Sequence, residues 1–494
     1  MKKLVAAAIA AVSIQAFAAW ERVGALQVAD TMALCEAAGK IGQMIGNPMV
    51  AAGAASGIAG LPTIKFFGPT RPNSSMVFVL FADSRLLAKD PEKAFGKPGF
   101  YALHPVSMTK DEFMKRHEGA YETNGVIVVK GTVGKTKKKY VVFSADGKWA
   151  AMSDNVTLCR AALKDVAMAE KPMDGEVVRL MLEPSFWKAI AVVAEKDKNN
   201  PPQAIACVKS IKSAVIGAKV SDNGVDVVAG VVAHDGSMLS TAGLKPLADN
   251  PLAFAGREAF CAYALAEDAG LGNDLTDEQW ASLLAICTKH GINVAKYVAR
   301  VRDAEKTVYT IDLDAIFKFA KEEADTKLGS IDFKALADDI GGLTKGLELK
   351  AKSPARYLAI TTKGFKSQWT AADRFSATLP EAASQRPFYV GFYSLSSLVK
   401  EIFPRALELV EGEQRDMMKQ ALAPFAAEQK RGIAFSTWRE GGETRMLTRV
   451  SADEIRGLGG LVNAITSMYS ASVSEPDEDA DGQNGAAAPG KDDK

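Results

Sequence analysis

Two stretches decide the fold: GEVVRLMLEPSFWKAI, residues 175 to 190, and its later counterpart RPFYVGFYSLSSLVKEI, residues 386 to 402. Each opens on a run of β-branched and aromatic residues that reads as a strand, meets a polar residue, and continues at helical spacing. A third stretch, TVYTIDLDAIFKFA (307 to 320), has the same form, with Asp314 in the polar position and Lys318 on the helix. A further β-rich segment follows each of them at a similar distance: AVIGAKVSDNGVDVVAGVVA around Asn223, GLELKAKSPARYLAITT around Ser353, and GIAFSTWREGGETRMLTRV around Gly441. These read as hairpins. Recurrence of strand, helix and hairpin is the mark of an internally repeated architecture.

A more diverged copy opens the chain. SSMVFVLFADSRLLAK (74 to 89) supplies strand and helix, and GVIVVKGTVGKTKKKYVVFSADGKWAAMSD (125 to 154) supplies a meander, its ADGK turn bringing residues that tolerate positive φ. NVTLCRAALKDVAMA (155 to 169) then resumes helical periodicity. Strands joined by hairpins with helices appended imply an α+β fold of repeated strand-helix-hairpin modules, forming antiparallel sheets with packed helices. The expected divisions are a signal peptide over 1–18, a first module over 19–175, a second over 176–250, a mainly helical segment over 251–306, a third module over 307–380, a fourth with a closing helix over 381–474, and a disordered acidic tail over 475–494. In the helical segment, Thr276 and Gln279 stand as a capping box before Trp280, Leu283, Leu284 and Cys287 on one face. The tail is acidic and Gly/Ala-rich with no apolar face.

YVVFSADGKWAAMSDNVTLCRAAL (140 to 163), a strand, a tight DG turn, a second strand and a helix, resembles a pattern in uncharacterised exported bacterial proteins built from repeated α+β units and known only as domains of unknown function. The resemblance covers this stretch and, loosely, the later copies. It implies an envelope protein of repeated modules and transfers no catalytic residue.

The first residues support export. Lys2 and Lys3 precede an apolar run from Leu4 to Ile14, and Ala16-Phe17-Ala18 follows, the pattern of a secretory signal peptide. The run is too short to serve as a mature membrane helix, and the small-residue stretch from Met44 to Gly60 is broken by Asn47, Pro48 and glycines, so no transmembrane segment is expected in the mature chain. A periplasmic or extracellular protein is the expectation. With 494 residues the chain exceeds one ordinary core, and 60 Lys plus Arg against 59 Asp plus Glu give no general attraction to nucleic acid. The five cysteines, Cys35, Cys159, Cys207, Cys261 and Cys287, are single and odd in number; Cys159 and Cys287 lie at core-facing spacing.

Several motifs invite a catalytic reading. Ser185 with Lys188, Ser397 with Lys400, and Ser107 with Lys110 each make a Ser-x-x-Lys pair, the spacing with which acyl-enzymes set an amine beside a nucleophilic hydroxyl. Ser153-Asp154-Asn155 and Ser221-Asp222-Asn223 spell a second motif of those enzymes, but no Lys-Thr-Gly accompanies them. The third copy has Ala315 where the serine should stand, so Ser185 and Ser397 are expected to act as helix caps, with the lysines on the solvated face. GTVGKT (131 to 136) lacks the spacer of a phosphate-binding loop and reads as a hairpin turn. The basic run Lys135 to Tyr140 reads as protection of a strand edge, a sharper alternative being contact with an anionic surface polymer. His104, His117, His234 and His290 show no metal-ligand spacing.

The expectation is therefore an exported, non-catalytic protein with no cofactor, no metal site and no catalytic set, whose modules present a binding or assembly surface to an unknown envelope protein. The alternative is a periplasmic carrier of a hydrophobic ligand such as a lipid, with Met417, Met418, Leu422 and Phe425 at helical spacing as its lining. A serine acyl-enzyme using Ser185, Ser397 or Ser107 is the second alternative.

Overall fold

The structure is a computed structural model. It describes residues 20–460 and 462, apart from 131–137, 198–199, 201, 238, 241–242, 268–274, 323–327, 346–354, 366, 380–385, 410–411 and 423–428. The proposed signal peptide, the GTVGKT turn, Phe425 and the acidic tail lie outside the described residues, as do the side chains of Met417 and Leu422.

The α+β class holds: among the described residues at least sixteen α-helices accompany seventeen strands joined in one mixed, mostly antiparallel sheet. In chain order the strands are β1 Trp20–Val28, β2 Met76–Asp83, β3 Gly99–Pro105, β4 Tyr121–Thr123, β5 Val126–Val129, β6 Lys139–Phe143, β7 Trp149–Ser153, β8 Glu176–Leu182 and β9 Ile211–Ser221. The later ones are β10 Gly224–Ala233, β11 Ala259–Leu265, β12 Val298–Asp303, β13 Lys306–Ile311, β14 Arg356–Thr362, β15 Tyr389–Tyr393, β16 Ile433–Glu440 and β17 Glu443–Ser451. Pairing runs β4-β5-β6-β7-β3-β2-β1-β8-β9 across the N-terminal part, and β9 forms a hairpin with β10. Strand β10 then pairs with β17, and the order continues β16-β15-β11-β14-β13-β12.

Two features depart from the expectation. Strands β13 and β14 are parallel, because the helices Leu313–Glu322 and Phe333–Lys345 between them carry the chain back to its starting side. The span 251–306, expected to be mainly helical, contributes β11 and β12 around its Asp277–Lys289 helix, and β11 is the strand between β14 and β15. The capping box at the start of that helix is present: Thr276 Oγ1 accepts from the Gln279 amide at 3.2 Å and Gln279 Oε1 accepts from the Thr276 amide at 2.9 Å.

One face of the sheet carries two cores. Val77, Val79, Tyr101, Leu103 and Ala151 pack under Leu158 and Cys159 of the helix Val156–Ala162. In the C-terminal part Ala262, Ala264, Ala359, Val390, Phe392 and Ala434 pack under Ala372 and Phe375 of the helix Ala371–Thr378. The small alanines on the strands let these helices sit close to the sheet. Turn chemistry is explicit at the β16–β17 hairpin, where Gly441 (φ 56) and Gly442 (φ 88) both take the left-handed conformation of a two-residue turn that matches strand twist.

Candidate functional site

Two of the three Ser-x-x-Lys serines, Ser185 and Ser397, are buried and engaged in structural hydrogen bonds. Pro184 opens the helix Pro184–Lys196, so Ser185 lies one residue inside it; the cap position is Glu183, with no side-chain cap bond. This corrects the expected capping role of Ser185: its buried hydroxyl instead donates to the Arg22 carbonyl at 2.5 Å, tying the helix to β1. Lys188 is exposed. In the later copy Ser394, not Ser397, is the N-cap of Leu395–Ala406, its hydroxyl accepting from the Ser397 amide at 3.3 Å. In the third copy Asp312 caps the helix through the Ala315 amide at 3.0 Å, while Asp314 pairs with Arg405 at 2.7 Å. Ser107 is exposed and precedes the helix Lys110–Arg116, whose capping box is Thr109 with Glu112; Lys110 pairs with Glu122 at 2.6 Å.

Ser397 belongs to a buried polar cluster that the sequence reading missed. Arg374, completely buried, donates to Ser397 Oγ at 2.6 Å and to Ser367 Oγ at 2.7 Å, and the Ser394 and Ser397 hydroxyls share a hydrogen at 2.6 Å. Beside them Glu454, also completely buried, accepts from the Ser396 amide at 2.8 Å and from Ser396 Oγ at 2.6 Å. Burial raises the Glu454 carboxyl above its usual range against these hydrogen bonds. Glu454 starts the helix over 452–460, so the cluster locks the helix after β17 to the start of the helix after β15. A buried arginine and a buried glutamate have no periodic signature; only their juxtaposition in the fold reveals them.

The two Ser-Asp-Asn triplets are turns and caps. Ser153 Oγ donates to the Phe100 carbonyl at 2.5 Å, and Asn155 accepts from the Thr157 and Leu158 amides at 2.9 and 3.2 Å. Asp154 pairs with Lys139. Ser221 and Asn223 flank the β9–β10 turn.

All five cysteines are unpaired; Cys159, Cys261 and Cys287 are buried. Burial pushes the thiols of Cys159 and Cys261 up to about 12, far from a nucleophilic thiolate. His104 is fully buried against Phe67, its Nε2 3.1 Å from the Gly68 carbonyl, and burial lowers it to about 4. No group of three or more His, Cys, Asp or Glu among the described residues is placed to hold a metal ion, and no described helix is long and apolar enough to cross a membrane.

What remains open is a notch on the sheet face opposite the first core. In the paired register Phe100, Leu80, Gly24 and Leu182 lie across β3, β2, β1 and β8, and Phe78, Leu26 and Leu180 form the next row. Gly24 supplies no side chain, and none fits: a Cβ there would stand 2.8 Å from the Met181 carbonyl oxygen. The missing side chain leaves a cavity of about 360 Å³ walled by those residues and by Phe186 of the Pro184–Lys196 helix, with every lining residue apolar. Leu26 and Phe78 also pack, with Leu34 of the helix Thr31–Ile45, against the buried cluster of Val28, Ile64 and Met76. Leu80, at 39% exposure, stands at the rim of the cavity. In the C-terminal part the corresponding face is closed: the Phe435 ring lies where a Gly391 Cβ would be, between Tyr389 at 4.9 Å and Tyr393 at 5.8 Å.

No protein family, no curated protein and no solved structure matches the chain.

Proposed function

We propose that the chain is a non-catalytic binding protein of the cell envelope, exported through its N-terminal segment and built from repeated α+β units. The observation that carries this reading is the fate of the buried candidate nucleophiles: the Ser185 hydroxyl is committed to a backbone carbonyl and the Ser397 hydroxyl to a buried guanidinium and to Ser394. A nucleophile needs a base within hydrogen-bond reach, and the hydrogen bonds of Ser185 and Ser397 go instead to a carbonyl, a guanidinium and a second serine.

The strand order supports repetition. From the β10–β17 pair outward it reads β10, β9, β8, β1, β2 on one side and β17, β16, β15, β11, β14 on the other. On each side a strand, a pair of helices and a two-strand hairpin follow in that order, β8 to β10 and β15 to β17. The pairing of Val228 with Leu447, with Gly224 and Val231 opposite Ser451 and Thr444, sets the two hairpins side by side about a local twofold axis. Two copies of one half, joined edge to edge, explain how so wide a sheet is filled by one chain.

The notch over Gly24 favours the carrier reading within this function: it takes an apolar group, such as part of an acyl chain, onto the β1–β2–β8 face. A preformed apolar hollow gains roughly 25 cal/mol for each Å² of apolar surface it removes from water. The test is titration of an environment-sensitive fluorescent fatty acid into the full chain, with displacement by unlabelled fatty acid. Saturable uptake abolished by Leu80→Glu is the expected result; uptake unchanged by that rim charge, or none in either protein, refutes the carrier reading.

A further inference from the structure

A second, polar pocket lies at the ends of β1, β2, β7 and β8, separate from the apolar notch, with a volume of about 590 Å³. Two loops rim it, and buried polar side chains fasten both. The loop over 70–75 is tied to the start of the Thr31–Ile45 helix: the Thr31 amide donates to Thr70 Oγ1 at 2.8 Å, the Thr70 amide to Thr31 Oγ1 at 3.2 Å, and the Asn73 amide to Asp30 Oδ2 at 2.9 Å. The loop over 169–175 is held from beneath: Gln27, 1% exposed, donates to Ser75 Oγ at 2.8 Å and to the Lys171 carbonyl at 3.0 Å, Ser75 Oγ donates to the Ala169 carbonyl at 2.7 Å, and Arg179 Nη1 to the Pro172 carbonyl at 3.2 Å. Buried amide, hydroxyl and guanidinium groups spent on loop carbonyls make the pocket preformed.

The charges lining it differ in what they have left to bind, and among its carboxylates Glu170, on the exposed rim, is the one with neither a side-chain hydrogen bond nor an ion pair among the described residues. Asp30 is saturated, its Oδ1 accepting from the Ala33 amide at 2.9 Å and its Oδ2 from Asn73. Glu176 and Asp174 are engaged by Arg179 at 2.5 and 3.6 Å. On the cationic side, Arg71 lies over the Trp149 ring at 5.6 Å, and its charge adds to the hydrogen bonds from Ser144 and the Lys148 amide that hold the nearby Asp146 carboxyl below its usual range. Among the described residues neither the Arg71 guanidinium nor the Lys171 amine meets a carboxylate within ion-pair distance. Two buried donors at this wall, Arg71 Nε and the indole nitrogen of Trp149, a residue only 2% exposed, have no hydrogen-bond partner. A buried donor without an acceptor is costly, and a guanidinium held over an aromatic ring with its Nε unpartnered can offer a donor to a planar or tetrahedral oxyanion.

We propose that this pocket binds a small organic molecule through an oxyanion, a carboxylate or a phosphate, held by Arg71 and assisted by Lys171, with the Trp149 ring fixing the guanidinium plane. The site does not depend on the apolar notch, so either can fail alone.

The test uses the full chain with ¹⁵N-labelled tryptophan indoles, the Trp149 resonance being assigned with Trp149→Phe. Succinate and inorganic phosphate are titrated separately at low ionic strength. Saturable movement of the Trp149 resonance by succinate marks a carboxylate ligand, and by phosphate a phosphate-bearing one; in either case Arg71→Gln should weaken binding by tenfold or more and Lys171→Gln by less, both at an unchanged melting midpoint. No saturable movement with either anion overturns the proposal, as does saturation that survives Arg71→Gln.

Discussion

Replacing Ser397 by alanine separates a structural hydroxyl from a catalytic one by its effect on stability. Ser397 Oγ sits 2.6 Å from both Arg374 Nη1 and Ser394 Oγ, and Arg374 is completely buried. Removing the hydroxyl takes an acceptor from a buried guanidinium, and a hydrogen bond to a charged group contributes about 1.5 to 3 kcal/mol. Ser397→Ala should therefore lose about 2 kcal/mol. Ser185→Ala removes one hydrogen bond to a neutral acceptor, the Arg22 carbonyl at 2.5 Å, and should lose about 1 kcal/mol. Lys188→Ala, on an exposed side chain, should stay within about 0.5 kcal/mol of the parent. Equilibrium unfolding in urea, followed by tryptophan fluorescence and by circular dichroism on all four proteins, reads these differences as midpoint shifts at constant slope. The order Ser397→Ala below Ser185→Ala below Lys188→Ala is the expected result. A nucleophile held in a strained or incompletely satisfied site behaves oppositely, since its removal leaves stability unchanged or raises it. Equal or greater stability of Ser397→Ala would refute the structural assignment.

Acid should destabilise the chain through His104. Its folded value is depressed to about 4 while an unfolded histidine protonates near 6.5, so the unfolded chain takes up the proton first. The contribution is complete above pH 6.5 and is lost as pH falls towards 4, by about 3 kcal/mol in all; unfolding midpoints of the parent and His104→Phe between those limits should converge, and parallel curves would remove His104 as the cause. Alkylation at pH 8 should label Cys35 and Cys207, which are partly exposed, and spare Cys159 and Cys261 until the chain is unfolded. Peptide mapping before and after denaturation checks this, and rapid native labelling of Cys159 would contradict the packing of its helix on β6 and β7.

The alternating and hairpin signals made much of the sheet legible: β2, β5 to β10 and β13 to β17 fall in stretches that read as strands, although β14, read as part of a hairpin, pairs with β11 and β13. Strand β1 did not, because WERVGALQV follows closely on the apolar run at the start of the sequence and carries charges at its own start. Strand β11, FCAYAL with alanines on its buried face, lacks the β-branched residues that announce a strand, and only the helices packed on it explain the small side chains. The joining of all strands into one sheet is a matter of long-range pairing, which local periodicity does not encode. At the serines, residue spacing raised the comparison with the third copy but placed the caps wrongly by two or three positions, since Glu183, Ser394 and Asp312 stand at the helix starts. The Arg374–Glu454 cluster, the Gly24 notch and the Arg71 pocket each gather residues from distant segments, so no local pattern announces them.

The central claim, that the chain works by holding a ligand rather than by transforming one, is tested most directly by native mass spectrometry of the protein purified from its own source without detergent. The same sample is then denatured. An excess mass that is lost on denaturation and is absent from Leu80→Glu is the result the account predicts. A chain that carries no added mass in its native state, together with turnover of an acyl substrate that disappears in Ser185→Ala or Ser397→Ala, would contradict it.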